Sequence, residues 1–180
     1  MNRKTKIILI IILTLLLLAT LGLYFLLNSR TTNSEPRRLF LPEGTTYQAL
    51  CDSLDASRSF RLFAETLGLD ERVRPGSYVV EPHMSNLALV RKLRNGQQDP
   101  IRLTIGKFRT PQQLNEYLNS KLMHNDFNFT LSSFHLVLPD TYEFYWTVTP
   151  EQFMQRMEKE YEKFWQEKVG ANGERRLELL

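Results

Sequence analysis

Ile101-Arg102-Leu103-Thr104-Ile105 alternates apolar and polar side chains, and Thr110-Pro111-Gln112-Gln113 follows a few residues later. The alternation puts residues 101, 103 and 105 on one face, the pattern of a strand buried on one side. The second motif combines a hydroxyl cap, a first-turn proline and a reciprocal glutamine, which together predict a helix running to about Met123. A half-buried strand followed by a helix gives a chain of mixed helix and strand, for which α+β is the expected fold class.

Downstream, Thr149-Pro150-Glu151-Gln152 repeats the helix-start signal before a longer helix, with Phe153, Met157, Tyr161, Phe164 and Trp165 as its apolar stripe. Between the two helices lies Phe134 to Trp146, rich in aromatics and centred on Pro139-Asp140-Thr141-Tyr142. After Trp165 the helical pattern fails, and Val169-Gly170-Ala171-Asn172-Gly173 reads as a loop. A stripe of large apolar groups needs a partner surface, and nothing after residue 166 supplies one, so the chain is expected to be truncated at its C-terminus.

Upstream, Ser85 caps a helix whose Leu87, Val90 and Leu93 line one side and which Gly96 ends. Pro75-Gly76 turns into Ser77-Tyr78-Val79-Val80, a β-branched and aromatic strand. Phe60, Phe63, Ala64 and Leu67 share one face of a helix from about Ser59 to Leu67, with Gly68 as its stop. Thr45 with Gln48 forms a capping box for a helix through Leu54, along which Tyr47, Leu50, Cys51 and Leu54 recur. Arg38-Leu39-Phe40-Leu41 is a short strand ending at the turn Pro42-Glu43-Gly44.

The N-terminal stretch Ile7 to Leu27 is apolar except for Thr14, Thr20 and Gly22, and a helix of that length rises about 30 Å, enough to cross a bilayer core once. Arg3, Lys4 and Lys6 lie directly before it, so residues 1–6 are expected in the cytoplasm and everything after Asn28 outside. Leu26-Leu27-Asn28-Ser29 offers no small-x-small cleavage site, which favours an uncleaved single-pass anchor over a signal peptide. Asn28 to Pro36 is polar and aperiodic, hence a linker.

Composition narrows the class further. The 180 residues are 42% apolar and 24% charged with one cysteine, which excludes collagen-like, disulfide-stapled and fully disordered chains. Of the 23 basic residues Arg3, Lys4, Lys6 and Arg30 precede Thr31, where no acid occurs, leaving 19 basic against 20 acidic residues beyond. The net charge of +3 therefore belongs to the membrane end, and no nucleic-acid partner is expected.

Chemistry rests on carboxylates. His83, His124 and His135 are far apart and carry no metal-ligand spacing, and Cys51 lies on an apolar helix face as a small buried hydrophobe. Asp140 and Glu143 lie in the aromatic-rich segment, where rings could stack on sugars and desolvation could raise a carboxyl pKa. The competing reading makes Asp140 the organiser of a turn after Pro139, with Phe144, Tyr145 and Trp146 as ordinary core. Glu158 and Glu160 read as the exposed side of a helix beside Lys159 and Lys163.

The ordered blocks Leu41-Pro42-Glu43-Gly44, Arg74-Pro75-Gly76-Ser77-Tyr78, Met84-Ser85-Asn86 through Leu93-Arg94-Asn95-Gly96, and Pro139-Asp140-Thr141-Tyr142-Glu143-Phe144-Tyr145-Trp146 resemble the endolytic murein transglycosylase family, MltG or YceG-like. The resemblance runs from about Arg38 to Trp165. It implies a cytoplasmic N-terminus (1–6), a transmembrane helix (7–27), a linker (28–36), a LysM-like βααβ module (37–98) and the opening part of an α+β transglycosylase domain (99–180).

The activity implied is cleavage of peptidoglycan glycan strands without water, leaving 1,6-anhydro-muramic ends at the extracytoplasmic face of the inner membrane, with no cofactor. One Glu would protonate the bridging oxygen and then take the proton of the muramic C6 hydroxyl. That Glu belongs to an Ala-Ser-Ile-Val-Glu-x-Glu-Thr-like segment, which is absent here, so it is expected beyond Leu180 and this chain alone is expected to be inactive. Asp140, Tyr142, Glu143 and Trp146 are the substrate-binding candidates. The family's partners imply docking to the cell-wall synthesis machinery. The alternative is a non-enzymatic, membrane-tethered peptidoglycan-binding or scaffold protein.

Overall fold

In the computed structural model, residues 3–31 and 33–177 are described, and they fall into two units, Met1–Gln98 and Asp99–Leu180. The first unit begins with α1 (Arg3–Leu27), whose span Arg3–Leu26 is long and apolar enough to cross a membrane. The most apolar stretch of that span is uncovered by the rest of the molecule, with its leucine and isoleucine side chains exposed on all sides, and only Leu26 at its end packs against the core of the unit.

Beyond α1 the unit is built from β1 (Arg37–Leu41), α2 (Tyr47–Leu54), α3 (Arg58–Leu67), β2 (Gly76–Val80) and α4 (Asn86–Asn95). β1 and β2 pair antiparallel, with Leu39 opposite Tyr78 and Leu41 opposite Gly76. Two strands alone would be marginal in water, and three helices supply the missing apolar partner. Leu39, Leu41, Tyr78 and Val80 from the strands close on Leu50 and Cys51 of α2, Phe60, Phe63 and Ala64 of α3, and Leu89, Val90 and Leu93 of α4. Cys51 is wholly buried among them.

The local signals place most helix ends within a residue. Ser57, Ser85 and Thr110 each accept a backbone N–H from three residues on, and Gly68 and Gly96 close α3 and α4 in the left-handed conformation. The cap of α2 corrects the sequence reading by one position. Thr46 accepts from the Ala49 N–H, while Thr45 Oγ1 donates to Pro42 O and finishes the preceding turn.

The stretch 28–36 also departs from its reading as a linker. Asn86 N donates to Ser29 O, Thr31 N donates to Met84 O, and Asn33 Nδ2 reaches Val80 O. Arg30 forms a β-bridge with Ser85. A polar, aperiodic string has no period to betray such pairing, because its partners are backbone groups of β2 and the start of α4.

The second unit contains β3 (Ile101–Ile105), α5 (Pro111–Lys121), the short α6 (Leu131–Phe134), β4 (Asp140–Phe144) and α7 (Pro150–Leu177). β3 and β4 pair antiparallel and bury Leu103, Ile105, Tyr142 and Phe144 against Leu114, Leu118, Phe153 and Met157. Asn115 and Asn119 of α5 clamp the chain beside the helix. Asn115 bonds both backbone groups of Phe129, and Asn119 both of Phe127. Phe127, Phe129 and Phe144 then surround the fully buried Phe153, at ring-centre distances of 5.9, 5.6 and 4.9 Å.

Thr149 and Gln152 open α7 with the reciprocal pair of bonds that the sequence signals. Beside them the Glu151 carboxyl is held below the usual range by its own backbone N–H and the Thr149 hydroxyl. The loop expected at 169–173 is absent, since α7 continues through Leu177. Gly170 and Gly173 each weaken a helix by about 1 kcal/mol, yet the strong helix formers at 166–168 and 174–176 flank them. Of the apolar stripe, Phe153 and Met157 are buried, whereas Phe164 and Trp165 remain 38% and 46% exposed.

Candidate functional site

The aromatic-rich segment is a strand, and that fact decides where its candidate residues go. Along β4 successive side chains alternate, so Asp140, Tyr142 and Phe144 share one face and Thr141 and Glu143 the other. Asp140 and Glu143 therefore do not converge as a pair of carboxylates. Neither does the structure bring the four candidate residues into one site.

Asp140 and Tyr142 line a groove of ≈ 370 Å³ with Leu138, Pro139 and four residues of α7: Glu160, Lys163, Phe164 and Glu167. Asp140 is exposed, and its Oδ1 accepts the Thr141 N–H at 2.6 Å, as an aspartate organising its own turn does. Tyr142 is buried and its hydroxyl donates to Leu138 O at 3.0 Å. Burial, and then the negative charge of Asp140 and Glu160, push its pKa up, with Arg156 acting in the opposite sense. The groove thus joins carboxylates, one ammonium group and an exposed phenyl ring, a set able to hydrogen-bond and stack a polar ring.

Glu143 lines a second groove, of ≈ 560 Å³, with Tyr145, Gln152 and Arg156 among its walls. Its carboxylate is taken by Arg102, whose Nε lies 3.1 Å away. Trp146 lines neither groove; it is half-buried, and its backbone carbonyl accepts the Met123 N–H at 2.9 Å.

Glu160 corrects the sequence reading of a solvated helix face. Its side chain is 26% exposed, pairs with Arg156 at 2.7 Å and lines the Asp140 groove. The apolar period of α7 carries no signal for Glu160, Lys163 and Glu167 as groove residues, although Phe164 of the same stripe lines the groove with them. The period-two run Thr141-Tyr142-Glu143-Phe144 was the signal that could have revealed β4. Among the described residues no group of three or more His, Cys, Asp and Glu side chains is placed to hold a metal ion.

These features define an α+β protein with one N-terminal helix able to cross a membrane, two small antiparallel ladders, and a carboxylate- and aromatic-lined groove in its second unit. A profile of the YceG-like family matches residues 39–179, and the chain belongs to that family. It is also similar to a crystal structure of a yceG-like protein from Listeria monocytogenes, with 16% sequence identity and a TM-score of 0.32. That similarity covers 80% of this chain and 60% of the Listeria chain, so this chain spans less than two thirds of that protein. Among curated proteins no match was found.

Proposed function

We propose that this chain is the anchor, LysM-like module and substrate-facing opening part of an endolytic peptidoglycan lytic transglycosylase. Membership of the YceG-like family over residues 39–179 is the observation that carries the reading. The order β1, α2, α3, β2 in the first unit supports a LysM-like module, and α1 supports attachment to the inner membrane with the remainder outside. The Asp140 and Tyr142 groove would hold a sugar ring of the strand between polar edges and the Phe164 ring.

The acid that protonates the bridging oxygen must later accept the C6 hydroxyl proton, so it must approach both atoms from one side of the muramic ring. Residues 1–180 hold no Ala-Ser-Ile-Val-Glu-like segment, and we assign the acid role to none of them. The chain alone is expected to bind strands and leave them intact.

The test incubates the full chain, in detergent, with purified peptidoglycan sacculi. Co-sedimentation without anhydro-muropeptides supports the proposal, and their release overturns the absence of the acid. Failure to co-sediment overturns the substrate assignment. Sequencing the coding DNA past codon 180 in three frames separates the enzyme from a purely tethering scaffold. An Ala-Ser-Ile-Val-Glu-like stretch supports the enzyme, and its absence supports the scaffold.

A further inference from the structure

The first unit contains a cavity of ≈ 280 Å³ between the segment leaving α1 and the module, far from the groove of the second unit in sequence and serving no role above. Arg30, Thr31, Asn33, Arg37 and Asp55 line it over an apolar floor. Asn86, 3% exposed, fixes its frame by donating to the hydroxyls of Ser29, Ser57 and Ser59.

The polar lining has unmet needs. Arg30 and Arg37 form no ion pair among the described residues, so their guanidinium donors are available. Among the described residues Thr31 Oγ1 and Asn33 Oδ1 are buried with no hydrogen-bond partner, a state that buried polar atoms rarely tolerate. Guanidiniums match phosphate oxygens, whereas the buried Asn33 carbonyl requires a donor and the exposed Asp55 carboxylate can accept one. A ligand that satisfies all of them carries a phosphate diester and, a few atoms away, a hydroxyl or ammonium group. The volume lies near the lower end of small-molecule pockets, roughly 300 Å³, which suits a headgroup rather than an oligosaccharide.

Position points to the source. Arg30 follows Leu27, the last residue of α1, by three residues, and an extended chain of that length reaches only about 10 Å. If α1 spans the bilayer, the cavity stands at the height of the lipid headgroups.

We propose that this cavity binds the headgroup of a membrane phospholipid, with Arg30 and Arg37 on the phosphate and Asn33 and Asp55 on its terminal hydroxyl or ammonium. The lipid source rests on α1 crossing a membrane, and the phosphate chemistry does not.

The test is native mass spectrometry of the full chain in dodecyl maltoside, titrated with phosphatidylglycerol, phosphatidylethanolamine, phosphatidylcholine or inorganic phosphate. One molecule of either of the first two is expected to be retained. Phosphatidylcholine, whose quaternary ammonium donates no hydrogen bond, is expected to be retained at least fivefold more weakly. Arg30→Gln/Arg37→Gln is expected to lose at least tenfold in lipid affinity. Arg91→Gln/Arg94→Gln, which removes the same charge from exposed positions of α4, is expected to behave as wild type, and equal melting temperatures show that both variants fold. Equal loss in the two double variants, or equal retention of all three lipids, overturns the proposal. Retention of inorganic phosphate without lipid retention overturns the lipid source, and retention of neither overturns the phosphate chemistry.

Discussion

Arg102 and Glu143 stand opposite each other in the β3–β4 ladder, with Arg102 Nε donating to Glu143 Oε1 at 3.1 Å. This pairing fixes Glu143 on the face of β4 that Asp140 and Tyr142 do not share. The two side chains are 78% and 56% exposed, so water and salt screen the pair, and it contributes about 1 kcal/mol or less. Glu143→Gln is expected to leave the urea midpoint and sacculus binding nearly unchanged. Asp140→Asn is expected to weaken binding by roughly tenfold, the worth of one charge-assisted hydrogen bond. Co-sedimentation of both variants checks this, and an equal effect would show that strand alternation does not separate their roles.

Alkaline pH tests the buried phenols. Tyr142 has its pKa raised above 10.0 chiefly by burial, as does Tyr47 of the first unit, whose hydroxyl also lies beside Cys51. A phenol that stays neutral longer in the folded state binds more protons there than in the unfolded chain. Its contribution is therefore complete below pH 10 and is lost as pH rises above it. Thermal unfolding followed from pH 8 to 11 is expected to show a steeper alkaline loss for wild type than for Tyr142→Phe. At neutral pH the same variant loses only the bond to Leu138 O, about 1 kcal/mol.

The second core depends on Phe153. Its ring is fully buried, stacked on Phe129 and Phe144 and met edge-on by Phe127. Phe153→Ala removes the shared contact of three rings and leaves a cavity that the clamped Phe127 and Phe129 backbone cannot readily close. The cost is expected to be about 3–5 kcal/mol, read as a fall in the denaturation midpoint of the second unit. Trp165→Ala, at an exposed position of the same helix, is expected to cost under about 1 kcal/mol.

What the sequence revealed and concealed follows the range of the interaction. Ser85, Gly96, Thr110 and Thr149 act within one helical turn, and each could be read from its neighbours. β3 was legible because its partners lie on one face only. β4 was not, since its aromatics suggested a ligand surface before a ladder, and the same period that hides Tyr142 in the core exposes Glu143 to Arg102. The docking of Ser29, Thr31 and Asn33 was illegible because each meets a backbone group some fifty residues away. Of the candidate residues, Asp140 and Tyr142 share a groove whose other wall is Glu160, Lys163, Phe164 and Glu167 of α7.

Two glycines separate backbone strain from side-chain crowding. Gly44 and Gly96 both hold left-handed backbone, at φ of +77° and +67°. An alanine at either pays for that conformation by about 1–2 kcal/mol. A Cβ on Gly44 meets nothing within 4 Å, whereas one on Gly96 would lie 2.7 Å from Arg74 Cδ. Arg74 must then move, and its Nε bond to Arg94 O, 3.0 Å long, is lost. Gly96→Ala is therefore expected to cost about 0.5–1.5 kcal/mol more than Gly44→Ala. If that excess comes from Arg74, it disappears when both alanines are compared in an Arg74→Ala background. Urea titration of the four variants measures it, and an excess that persists without Arg74 would place the strain in the α4 cap itself.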